Sequence, residues 1–145
     1  ILDEPVSSLD VSVRAQILNL LVELQDRLGV AFLYISHDLS SVRFISSHVA
    51  VMYLGKLVEI GTVDDVFTTP RHHYTRALLS AIPVPEPGAA QTRIVLQGEV
   101  PSAMQRPTGC PFHPRCAAAL PVCAETEPML TPPVGGHGIA CHNPL

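Results

Sequence analysis

The chain has 145 residues, with 9 basic and 13 acidic side chains and a formal net charge of -4. Its 47% hydrophobic and 15% charged composition is that of a globular chain and excludes a disordered one. Lys56 and eight scattered arginines form no basic tract, which argues against nucleic acid as a partner, and no apolar run approaches the roughly 18 residues of a membrane span. The opening residues Ile1-Leu2-Asp3-Glu4-Pro5 lack the basic and apolar regions of a secretory leader, and there is no initial Met. An apolar pair running straight into acids reads as a strand entered halfway, so a fragment whose front is missing is expected.

In chain order, Ile1 to Asp3 reads as a strand end. Asp10 is placed to cap a helix in which Ile17, Leu20, Leu21, Leu24 and Leu28 recur at helical spacing, and Gly29 stops it. Val30 to Ile35 is wholly apolar, as a strand covered on both faces would be. A short helix over Ser40 to Ile45 leads to a strand over Val49 to Leu54. Gly55-Lys56 then turns the chain into a hairpin partner, Leu57 to Ile60. Thr62 caps a helix over Val63 to Phe67, and Tyr74 to Ala81 forms another. Strand and helix alternate, so the first part is expected to form a parallel α/β sheet. Thirteen of 14 prolines lie from Pro70 onward and all four cysteines from Cys110 onward. The expected division is therefore residues 1–82, a Pro-rich linker at 83–92, and a small irregular Cys-rich lobe at 93–145.

Three features carry chemistry. Asp3 and Glu4 end an apolar strand, the place where open α/β sheets bind ligands, and neighbouring carboxylates can divide the work of holding Mg²⁺ and polarising a water. Ser7-Ser8-Leu9-Asp10 follows, by itself a helix cap. Ser36-His37-Asp38 sits directly after the second apolar strand. Singly, each has an ordinary structural explanation.

Their order and spacing resembles the second half of an ABC-transporter ATPase domain. The resemblance implies the C-terminal half of a P-loop NTPase-type sheet with helices. It gives Asp3 to Mg²⁺, Glu4 to the attacking water, and Ser8 and Asp10 to the D-loop that meets a partner subunit. It gives His37 to the γ-phosphate of ATP. Phosphoryl transfer needs such a metal clamp, positioned water and donors at the developing charge. The stretches His73 to Pro83, Arg93 to Pro101 and Gly109 to Cys116 are similar to the oligopeptide/dipeptide importer branch. One departure is His72-His73-Tyr74 where that branch has His-Pro-Tyr, which is expected to loosen a turn. The only Gly-Lys pair, Gly55-Lys56, has Ala50 five positions before and Leu57 after, so it is no phosphate cradle. The Gly-rich signature is missing too.

What the resemblance implies is an ATP-hydrolysing subunit energising peptide import. It would lie peripherally on the cytoplasmic face of the membrane. Its partners would be a second ABC ATPase subunit, two transmembrane permease subunits and, indirectly, an extracytoplasmic solute-binding protein. The alternative is a non-catalytic, metal-stapled regulatory or docking module. Cys110, Cys116, Cys123 and Cys141 occupy a Pro-rich lobe that needs a staple, and a reducing compartment favours metal over disulfide. Four thiolates suit zinc or a four-iron cluster, with His113 or His142 able to replace a Cys on zinc. The wide spacings and the resemblance favour a [4Fe-4S] cluster. His48, His72, His73 and His137 are expected at the surface or in loops.

Overall fold

Asp10 and Gly29 set the ends of the longest helix, α1 (Val11–Leu28), as the spacing predicts. Asp10 Oδ1 accepts from the Val13 N–H at 2.9 Å and from the Ser12 hydroxyl at 2.8 Å. Gly29 closes the helix at φ 63°, a conformation that costs glycine little, and donates its N–H to the Gln25 carbonyl. The architecture is that of a computed structural model describing residues 1–83, 93–102, 104–131 and 136–145. Beyond Pro83, the linker predicted at 83–92 lies outside the described residues.

The chain forms two compact units, Ile1–Ser47 and His48–Leu145. In the first, β1 (Leu2–Asp3) and β2 (Tyr34–Ile35) pair in parallel, with Leu2 opposite Tyr34 and Asp3 opposite Ile35. A helix α2 (Leu39–Ile45), capped by Asp38, follows β2. Val6 and Leu18 are the buried apolar side chains of this first unit among the described residues. The run Val30 to Ile35 departs from expectation, because only its last two residues are strand, and Leu33 and Ile35 stay 57% and 45% exposed. A two-stranded parallel pair offers too little surface to cover both faces of that run.

The third apolar strand does not join that sheet. β3 (His48–Tyr53) pairs antiparallel with β4 (Lys56–Thr62), and β5 (Gly138–Ile139) takes the other edge of β4. The expected hairpin forms, with Leu54 and Gly55 at φ 46° and 74° between the paired Tyr53 and Lys56. Two consecutive left-handed residues form the tight connection whose twist matches an antiparallel hairpin. Two short helices follow, α3 (Val63–Thr68) capped by Thr62 and α4 (His73–Leu79) capped by the His72 imidazole. Near the end, α5 spans Pro121–Glu125.

The cysteine-bearing residues share a core with the hairpin. Tyr53 and Val58 pack with Cys110, Phe112 and Cys123, with Tyr74 and Leu96 at the margin. Phe112 meets Tyr53 edge-on, with ring centroids 5.3 Å apart, and Tyr53 meets Tyr74 at 4.7 Å. Fully buried Glu59, on β4, supplies the polar counterpart. Its Oε1 accepts from the Arg71 N–H at 2.6 Å and meets His137 Nε2 at 2.7 Å, while Oε2 accepts from the His72 N–H. The turn before α4 is therefore held by a carboxylate. His73 also reaches the Asn143 carbonyl at 2.9 Å. His72 is 1% exposed, not a surface residue, and the His137 side chain is 11% exposed against Glu59. Burial pushes His72 down to about 4, against the opposing pull of Glu59 and with a further lowering from His73.

Candidate functional site

Parallel pairing brings the carboxyl ends of β1 and β2 together, the usual ligand position in such sheets. The Leu2 N–H donates to the Leu33 carbonyl at 2.8 Å and the Glu4 N–H to the Ile35 carbonyl at 2.9 Å. Glu4 thereby lies beside the loop that begins at Ser36. It holds φ 47°, a left-handed conformation unusual for a residue with a side chain.

Glu4 and His37, 33 residues apart, meet at this junction. His37 Nδ1 lies 2.8 Å from Glu4 Oε1, and the His37 backbone N–H donates to the same oxygen at 3.2 Å. Glu4 Oε2 is buried and bonded to no group among the described residues. One carboxylate oxygen is thus fixed, and the other is buried without a partner among the described residues. With Nδ1 committed to Glu4, a protonated His37 has Nε2–H left as a donor for an anion. The His37 side chain is 79% exposed, so a ligand can reach it.

The other residues singled out in the sequence are less engaged. Asp3 and Ser8 are exposed. Asp10 is occupied as the cap of α1, and the Val13 N–H, then the Ser12 hydroxyl, hold its carboxyl below the usual range. Sequence reading missed Arg14, whose Nη1 donates to Asp38 Oδ2 at 3.0 Å and Nη2 to the Leu9 carbonyl at 3.2 Å. A basic residue in the first turn after an acidic cap was the only signal for it.

Cys110, Cys116, Cys123 and Cys141 are all free thiols. They lie near enough to influence one another: burial is the main cause raising Cys110, and Cys123 and Cys141 raise it further. Cys141 is likewise raised by burial and then, after a lowering by the Asn143 N–H, by Cys116 and Cys123. The Cys110 N–H also donates to the Cys123 carbonyl at 2.7 Å. Among the described residues, no group of three or more His, Cys, Asp or Glu side chains is drawn together closely enough to hold a metal ion. As placed, the quartet does not fit the four-iron cluster, nor zinc.

Comparison with known proteins follows the same lines. Residues 58–123 match the family described as oligopeptide/dipeptide transporter, C-terminal region. Over 142 residues the chain is 52% identical to a probable peptide ABC transporter ATP-binding protein of Sinorhizobium fredii, covering 98% of this chain and 40% of that protein. It is 52% identical over 139 residues to the dipeptide transport ATP-binding protein DppF of Haemophilus influenzae, covering 96% and 42%. With DppF of Escherichia coli K12 the identity is 52% over 141 residues, covering 97% and 42%. The chain thus spans 40% to 42% of the length of these relatives. Nearly all of it falls within the matches, and the chain belongs to the ATP-binding proteins of peptide ABC transporters, carrying their oligopeptide/dipeptide transporter C-terminal region at residues 58–123.

Proposed function

We propose that this chain supplies the water-activating part of an ATP-hydrolysing subunit that energises oligopeptide or dipeptide import. The observation carrying this reading is the Glu4–His37 pair at the joined strand ends, one carboxylate oxygen held and the other unbonded. In it, Glu4 accepts the proton of the attacking water and His37 orients Glu4 while offering a donor to the terminal phosphate. Mg²⁺ would be held by Asp3, directly or through water, and would neutralise phosphate charge. Ser8 and Asp10 stand on the loop that would face a second ATPase subunit. Two transmembrane permease subunits would receive the work, with an extracytoplasmic solute-binding protein acting indirectly. No helix among the described residues is long and apolar enough to cross a membrane. On this reading, attachment at the cytoplasmic face would run through those partners.

The test is Glu4→Gln in the full-length subunit within its transporter. ATP binding should persist while turnover falls at least ~10²-fold, because an amide is a far weaker base than a carboxylate. Normal turnover would end the role given to Glu4.

The [4Fe-4S] cluster, or zinc, on Cys110, Cys116, Cys123 and Cys141 goes further than this geometry and stands apart from the reading. Its only basis is that Cys110, Cys116, Cys123 and Cys141 are free thiols within one unit. Near-equal iron and acid-labile sulfide in anaerobically purified protein is the result it requires; metal-free folded protein would remove it.

A further inference from the structure

Resting on the catalytic reading above, we propose that Arg14 is a positioning residue that couples the loop at Ser7 to Asp10 to the Glu4–His37 pair. Three observations carry the inference. First, Arg14 bridges two loops: one guanidinium nitrogen donates to the Leu9 carbonyl at 3.2 Å and another to Asp38 Oδ2 at 3.0 Å. Second, the Asp38 carboxylate is held at both oxygens, because Oδ1 accepts from the Ser40 N–H at 3.1 Å and so caps α2. Third, Asp38 directly follows His37, whose ring and backbone N–H both meet Glu4.

The pair is partly shielded, with side-chain exposures of 30% for Arg14 and 26% for Asp38, so its charges are less screened than those of a surface ion pair. Arg14 also belongs to the first turn of α1, where its N–H bonds the Asp10 carbonyl at 2.9 Å. Its backbone is thus fixed to the loop while its side chain is fixed to the residue beside His37. A shift of Leu9 and Asp10 draws on the guanidinium, and the guanidinium draws on Asp38. His37 then moves against Glu4. A subunit docking on this loop would set the distance between base and histidine without touching either. A planar fork with donors on separate nitrogens suits two acceptors on different loops better than a single ammonium does.

The experiment measures steady-state ATP hydrolysis by the full-length subunit in its transporter, with Arg14→Met, Arg14→Lys, His37→Ala, Glu4→Gln and the Arg14→Met/His37→Ala double variant. Arg14→Met keeps the aliphatic stem and removes both bonds. It should lower kcat about tenfold and leave KM for ATP within about twofold, the split expected when positioning is lost and ground-state binding is not. In the His37→Ala background it should add less than about a twofold loss, because residues acting as one unit are not additive. Arg14→Lys should be intermediate, and it serves where Arg14→Met fails to fold. Unchanged kcat in either Arg14 variant overturns the proposal. So does a tenfold loss repeated in the His37→Ala background, which would mark a general structural role. A Glu4→Gln chain with normal turnover would overturn the catalytic reading and this inference together. An inactive Glu4→Gln chain beside a fully active Arg14→Met chain would overturn the inference alone.

Discussion

The unit at Ile1–Ser47 and the unit at His48–Leu145 are built by different means. The second buries Tyr53, Val58, Val66, Phe112 and Ile139 and centres on a fully buried carboxylate with three donors. The first buries the apolar side chains of Val6 and Leu18 and leaves Leu28, Leu33 and Phe44 more than half exposed. Yet the candidate catalytic pair lies in the first. Its geometry is fixed by hydrogen bonds: two strand-end backbone bonds, two bonds to one oxygen of Glu4, and the caps at Asp10 and Asp38. Directional bonds place a few atoms accurately while adding little net stability each. Burial does the reverse, contributing much free energy with little direction.

The sharpest way to break this comparison is a matched pair of substitutions. Phe112→Ala should cost about 3–5 kcal/mol, the range for a fully buried aromatic, since it removes the ring against which Tyr53, His72 and Tyr74 pack. Phe44→Ala, at a residue 58% exposed, should stay within about 0.5 kcal/mol. Equal losses in chemical denaturation would show that the two units do not differ as described.

A smaller effect comes from His72. Its ordinary value is 6.5 and burial holds it at about 4, so between these values an unfolded chain binds a proton that the folded one refuses. The stability this contributes is complete above pH 6.5 and is lost as pH falls toward 4. Between pH 7 and pH 5 the loss should be about 2 kcal/mol. Hydrogen exchange should place it on amides of the second unit. His72→Asn keeps an acceptor for the Tyr74 N–H and should flatten the profile. A wild-type profile already flat over that range would mean that His72 is not buried in its neutral form.

Much of the first unit was legible in the sequence, because its signals are local. Asp10, the leucine spacing and Gly29 predict α1, and the order Asp3-Glu4, Ser7 to Asp10, Ser36 to Asp38 points to the site. Sequence overreached where local pattern needs a distant partner. Val30 to Leu33 is apolar enough for a covered strand, but Tyr34–Ile35 alone is strand, paired with just two residues of β1. The hairpin of β3 with β4 was predicted and forms, but the single parallel sheet was not: β3 pairs with β4 and not with β1 or β2. Residues 93–145 were read as a lobe of their own, whereas Phe112, Cys110 and Cys123 pack on Tyr53 and Val58. In the second unit, β5 is two residues long and its partner Glu59 precedes Ile139 by 80 positions. No periodicity signals such a pairing. The contact of Arg14 with Asp38, 24 residues on, is invisible for the same reason.

Glu4 has a backbone at φ 47°. Glycine, or asparagine with its tolerance of that region, would relieve about 1 kcal/mol of strain there. On the role proposed for Glu4, folding and turnover would rank substitutions at position 4 in opposite order. A thermal screen for hardier variants would then select against the glutamate, enriching proteins that melt later and lack the proposed base. Any effort to stabilise this part of the chain without losing that base has to hold position 4 fixed and seek its gains elsewhere.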